Sequence, residues 1–196
     1  MKKLSALLKE FDGRGLSENQ LTKKFEEIAK AAIFGGHFCV NDDYNIYIHE
    51  VEFYFHSENK SESTIHDWAM YHRGNDVEYF PVGSLHPHNS GIDVTFEREA
   101  SYRASFLIRK YQIGNDIIKS PTYLREDMIG YTGCILGDGP RISWIDEKEI
   151  DSTSILSNAP RINLSAYDAN GKLLSDEQGK KLYDIRPWRF FRPDML

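Results

Sequence analysis

Two glutamates, Glu50 and Glu52, stand two residues apart in the apolar run NIYIHEVEFYF of this 196-residue chain. A carboxylate among Ile48, Val51, Phe53 and Tyr54 is costly unless it is solvated, paired or used. A partly buried glutamate of this kind can take a proton from water as a general base. The residue pattern does not separate Glu50 from Glu52, and an edge-strand glutamate paired with an arginine is the plain alternative. Arg109 is the matching cation, because FLIRKY sets a guanidinium in an apolar strand where its charge seeks a carboxylate. Glu52 and Arg109 together could hold a water between them, or form an ion pair and nothing more.

The imidazoles are the next group. His66, His72, His86 and His88, with Asp67 and Asp93, are residue types that bind metals, yet HPH with a distant His66-Asp67 matches zinc-ligand spacing only loosely. A metal-dependent hydrolase is therefore the third-ranked reading, and no metal is expected. Tyr54, Trp68, Tyr71 and Tyr79 could form a stacking surface for a base or sugar, as enzymes acting on extruded bases require. Aromatic residues at such positions also build ordinary cores.

These residues need elements to position them. Leu21, Phe25, Ile28, Ala29 and Ala32 recur at helical spacing behind a Ser17 or Asn19 cap, which predicts a core-facing helix over residues 19–33. Gly35 and Gly36 end it, and a hairpin follows through an Asn-Asp-Asp turn. Period-two alternation over Tyr44 to Phe55 puts Ile46, Ile48, Glu50, Glu52 and Tyr54 on one face and Tyr47, His49, Val51, Phe53 and Phe55 on the other. The segment from His56 to Asp76 reads as a long irregular loop, a place where function concentrates. Beyond it come a Pro-Gly turn, a His-Pro-His-Asn loop, a strand over Gly91–Phe96 and a strand around Arg109. A helix is predicted over 121–130, and strands at RISWI, PRINLSAYD and WRFF. NGKLLSDEQGKK is a polar hairpin or loop, and no internal repeat is read.

Length and composition fit one domain with a sizeable core: 40% of residues are hydrophobic and 13% aromatic. Residues 1–18 read as an N-terminal helical extension on a core of 19–196. The opening MKKLSALLKEFDGRG is interrupted by Lys9, Glu10 and Asp12, so it reads as an amphipathic helix and not a signal peptide. No stretch reaches the length of a membrane span. Cys39 and Cys134 are expected to be buried free thiols in a reducing, cytoplasmic setting. The net charge of −6 argues against simple electrostatic capture of nucleic acid. The acid excess lies in residues 1–100, with 10 basic and 17 acidic side chains, against 14 and 13 in residues 101–196.

Several segments in a fixed order resemble the monofunctional 3-methyladenine (alkyladenine) DNA glycosylases, which share a fold with the formyltransferase C-terminal domain. They are LTKKFEEIAKAAI, HEVEFY, His66, SGIDVTF, FLIRKY, APRINLS and RPWRFF. The resemblance implies an α+β single domain, with a mostly antiparallel curved sheet or partial barrel and flanking helices. It implies a hydrolase of N-glycosidic bonds that excises alkylated purines in base excision repair. Glu52 would deprotonate the attacking water, and Arg109 and the Ile162 backbone would hold it. Tyr54 and His66 would sandwich the base, with Arg161 and Asp93 at the binding site. No cofactor is implied, because a cationic alkylated base is already a good leaving group. Damaged DNA or a nucleobase-type ligand is the implied partner, with no membrane. Two departures stand out: HPHNSGIDV lacks the tyrosine wedge that enters the duplex, and Glu97 lies near the place of an expected asparagine. A non-catalytic or diverged protein of this fold that binds a nucleoside, free base or other small ligand is the alternative.

Overall fold

In the computed structural model, residues 2–59, 65–70, 78–132, 141–147 and 154–195 are described. The chain opens with helix α1 (Leu4–Glu10) and the longer helix α2 (Glu18–Phe34). A reciprocal capping box fixes the start of α2: the Ser17 hydroxyl accepts from the Gln20 N–H, and the Gln20 side chain accepts from the Ser17 N–H. The helix buries Leu21, Phe25, Ile28, Ala29 and Ala32, the stripe its spacing predicts. Leu4, Leu8 and Phe11 enter the same core, so the N-terminal segment is part of the packed interior.

Nine strands form one antiparallel sheet: β1 (Gly36–Val40), β2 (Tyr44–Ser57), β3 (Leu85–His88), β4 (Gly91–Thr95), β5 (Tyr102–Ile113), β6 (Asp116–Ile118), β7 (Ile142–Asp146), β8 (Ser157–Ala159) and β9 (Arg189–Phe191). The main order is β3-β4-β5-β2-β1-β7; β6 pairs with β5, and β8 pairs with β9, which lies along β2. The sheet curls into half of a barrel, making a single α+β domain with three helices, the third being α3 (Pro121–Thr132). No helix among the described residues is long and apolar enough to cross a membrane.

The long strand β2 departs from simple alternation. Ile46 and Ile48 are in the core, but so are Val51, Phe53 and Phe55. The change of parity falls at a register irregularity, where Ile48 pairs with Tyr111, Glu50 with Lys110 and Val51 with Ile108. An irregularity of this kind rotates the strand and exchanges its faces. Ile46 and Ile48 therefore do not share a face with Glu52 and Tyr54, contrary to the expectation. The facing strand changes parity in step, with Tyr102, Ala104, Phe106 and Ile108 in the core, then Tyr111. Below the irregularity the core face carries Phe53 stacked on Phe25 at 4.5 Å. The opposite face carries Glu52, Tyr54, Ser105, Leu107 and Arg109, joined by Asp93 from β4.

Four other expectations are corrected. The His-Pro-His segment is the edge strand β3, where Pro87 is tolerated because, among the described residues, one side of the strand has no ladder partner to satisfy. PRINLSAYD is not a strand; past β8 the chain runs through isolated bridges pairing Ser165 with Tyr183, Tyr167 with Leu173 and Ser175 with Lys181. A short internal repeat is present there. Asp168 accepts from the N–H groups of Asn170 and Lys172, and eight residues on Asp176 accepts from those of Gln178 and Lys180. Each Asp-x-x-Gly-Lys turn closes through a glycine with positive φ, 81° at Gly171 and 77° at Gly179. Cys39 is free but only half-buried, and Cys134 lies outside the described residues, as do Tyr71 and His72.

Phe25 joins α2 to the sheet through its stack on Phe53 and an edge contact with Trp188 at 5.2 Å. Phe25→Ala is expected to cost about 3–5 kcal/mol. Urea unfolding checks this: the midpoint falls with the slope unchanged.

Candidate functional site

The site is built on the sheet face opposite the stack of Phe53 on α2, around a buried carboxylate. Glu52 is 0% exposed. Its Oε1 accepts from the Ile162 backbone N–H at 2.7 Å. Its Oε2 accepts from the Tyr54 hydroxyl at 3.1 Å and from Arg109 Nη1 at 3.3 Å. A carboxylate offers about four acceptor positions, so one is left. Burial pushes the Glu52 carboxyl upward; the charge of Arg109 and the Ile162 N–H pull it back without cancelling the rise. The Tyr54 hydroxyl is raised well above 10, first by burial and then by the Glu52 charge, so it serves as a proton donor to Glu52. Glu50 has a different setting, between Arg189 at 3.5 Å and Lys110 at 3.7 Å. Geometry thus separates the two glutamates that the sequence left equivalent.

Ile162 is held by its neighbour. Arg161 is completely buried as a side chain and gives Nη1 to the Phe53 carbonyl at 3.1 Å and to Asp67 Oδ2 at 2.5 Å. Its Nη2 goes to Asp67 Oδ1 at 3.2 Å and Asp184 Oδ2 at 2.7 Å. Arg186 adds bonds to both aspartates. The Arg161 guanidinium lies 4.8 Å from the Tyr54 ring centroid and 5.4 Å from that of Trp188. Burial acts to raise the Asp67 carboxyl, but Arg161 and Arg186 outweigh it and hold it below its ordinary value. Asp184 is brought to about 2 in the same way, against burial, by Arg186 and Arg161. Asp67 is thus committed to an ion pair and is not placed to serve a metal with His66. Among the described residues no group of three or more His, Cys, Asp or Glu side chains is arranged to hold one.

Asp93 lies across β5 from Glu52, with Leu107 between them as cross-strand partner of both. Asp93 accepts from His88 Nε2 at 3.0 Å and from the Ser105 hydroxyl at 2.7 Å. A cavity of about 310 Å³ opens beside it, lined by Tyr54, Met70, His88, Asp93, Leu107 and Leu164 among others. His66 is elsewhere. Its Nδ1–H donates to the Ser57 carbonyl at 3.0 Å, and its ring lies 5.3 Å from His56, beside a broader open depression shared with Trp68 and Tyr183. Tyr54 lines the cavity, and His66 is not among its lining residues. Trp68 packs over Gly171, where a Cβ would come within 2.9 Å of the indole. Tyr79 lies under Arg103, whose guanidinium is 3.5 Å from the ring centroid, so it is used in packing. His86 sits against Phe80 at 4.2 Å.

Asp184, Ser105 and the acidic pairing of Arg161 were not foreseen. Only the string DIRPW, an acid and an arginine beside a tryptophan, hints at a buried pair. No protein-family model, curated protein or solved structure matches the chain.

Asp184 titrates at about 2 in the folded chain, below its ordinary 3.8. A depressed carboxyl contributes stability that is complete above its ordinary value and lost as pH falls through the folded one. Stability is therefore expected to drop between about pH 4 and pH 2, and Asp184→Asn to flatten that drop in acid-unfolding curves. Arg161→Met, which leaves the two buried carboxylates to Arg186 alone, is expected to cost about 3–5 kcal/mol at neutral pH. Denaturant unfolding at pH 7 reads this directly.

Proposed function

We propose that this chain is a hydrolase of N-glycosidic bonds, acting on an alkylated purine in the manner of the 3-methyladenine DNA glycosylases, on a formyltransferase C-terminal-like fold. The observation that carries the reading is the convergence on one carboxylate of groups from three distant segments. Glu52, Arg109 and the Ile162 N–H meet within 2.7–3.3 Å, and Tyr54 joins them. These are the residues to which the resemblance assigns the attacking water and the base.

Glu52 takes a proton from a water held at its remaining acceptor position and at Arg109. The water oxygen forms the bond to the anomeric carbon. The electrons of the C–N bond leave with the base, which departs neutral if it was alkylated and cationic. Arg109 opposes the effect of burial and keeps a share of Glu52 ionised. Tyr54 offers its ring to the cavity while its hydroxyl orients the carboxylate.

A second reading is favoured by two facts: Glu52 is closed from solvent, and the net charge of −6 opposes broad phosphate neutralisation. In that reading the cavity binds a free base or nucleoside without turnover. The wedge departure fits it as well, because the β3–β4 turn contributes Asn89 and Ser90 to the cavity lining in place of a tyrosine.

Release of free base from alkylated duplex DNA at low salt separates the two. Glu52→Gln is expected to reduce release by about 10²–10⁴-fold, the usual share of a general base. Equal release by wild type and variant would reject Glu52, and no release by either would leave the binding reading. The rate is expected to rise with pH as Glu52 ionises, with a midpoint above the ordinary 4.5. Because Arg109 lowers that midpoint, Arg109→Gln is expected to move it to higher pH, which a pH–rate profile detects.

A further inference from the structure

Asp93 is a buried carboxylate. Its side chain is 3% exposed, it lines the cavity beside Tyr54, and among the described residues no lysine or arginine pairs with it. The Ser90 N–H donates to His88 Nδ1 at 3.1 Å, and the other ring nitrogen, Nε2, faces Asp93. Each Asp93 oxygen holds one protein hydrogen bond, His88 on Oδ1 and Ser105 on Oδ2. That leaves an acceptor position on each oxygen, and a buried charge in this state is costly until donors meet it. The rest of the lining is the Tyr54 ring, the apolar Ala69, Met70, Leu107 and Leu164, and Asn89 with Ser90 from the β3–β4 turn. At about 310 Å³ the cavity is at the small end of ligand pockets, which span roughly 300–1,000 Å³, and is sized for one heterocycle and not a whole nucleotide.

We infer that Asp93, fixed by His88 and Ser105, selects a purine-type base through an edge bearing two adjacent N–H donors, as in the ring N–H and exocyclic amine of a guanine. This deepens the N-glycosidic reading and rests on it for the class of ligand. Two parallel N–H groups would engage the two carboxylate oxygens while the ring stacks on Tyr54. A base lacking the exocyclic amine leaves one oxygen of a buried carboxylate unmet, and sites built to bond a polar group reject the analogue without it.

The test is calorimetric titration of the full chain with 7-methylguanine and with 7-methylhypoxanthine, which keeps the ring N–H and lacks the amine. Wild type is expected to bind 7-methylguanine at least tenfold more tightly, and Asp93→Asn to lose that preference. Equal affinity for the two bases, a preference that survives Asp93→Asn, or binding of neither overturns the inference. The comparison on wild type stands whether or not the variant folds. Glu52-dependent base release without amine selectivity would sink this inference alone; amine-selective binding without release would sink the hydrolase reading alone.

Discussion

The arrangement depends on satisfying one buried cation. Arg161 is sealed from water, and a guanidinium there is tolerable only if its charge is paired. Asp67, Asp184 and the Phe53 carbonyl meet its two terminal nitrogens, leaving Nε as its one buried donor without a hydrogen bond among the described residues, and they come from separate segments of the chain. The short strand β9 stops beside Glu52; next to it the Phe53 N–H reaches the Trp188 carbonyl and the Phe53 carbonyl receives Arg161. A side chain thus takes over where the ladder ends. The same anchoring delivers the following backbone N–H to Glu52, so the ion pair and the candidate base are set by one stretch of two residues.

Trp188 links this polar cluster to the apolar interior. Its indole N–H donates to Thr22 on α2, its ring meets Phe25, and its other face lies beneath Arg186 at 4.4 Å. The helix that buries the sheet's apolar face is therefore tied to the arginines that organise its polar one. Electrostatics divides the polar face in two. Arg109 and the Ile162 N–H restrain the Glu52 carboxylate, whereas the Asp93 carboxylate accepts from His88 and the Ser105 hydroxyl. Two acids on one face, on either side of Leu107, thus have unlike surroundings and suit unlike tasks.

Local patterns carried much of this into the sequence. The stripe of α2, the first hairpin, α3 and the strand around Arg109 all rest on periodicity and turn chemistry, which short windows contain. The strand irregularity was legible too, had the spacing been followed: apolar residues at Ile46 and Ile48 resume at Val51, Phe53 and Phe55, a step of three in a period of two. The twin Asp-x-x-Gly-Lys turns are equally visible, as DANGK and DEQGK eight residues apart. What no window holds is the pairing of Arg161 with Asp67, 94 residues apart. The placement of His66 beside His56 and off the cavity lining is likewise a tertiary result.

The irregularity at His49 and Glu50 gives the strand a parity. On one side of it even-numbered residues face inward, and on the other side odd-numbered ones do, with β5 changing in step. The acidic face and the hydrophobic face are thus assigned by a count of residues as much as by their identities. A single deletion at this point would carry Glu52 and Tyr54 into the interior and turn Phe53 and Phe55 outward. In the middle of the β2–β5 pair, therefore, only compensated changes of chain length, made on both strands together, leave inside and outside where they are.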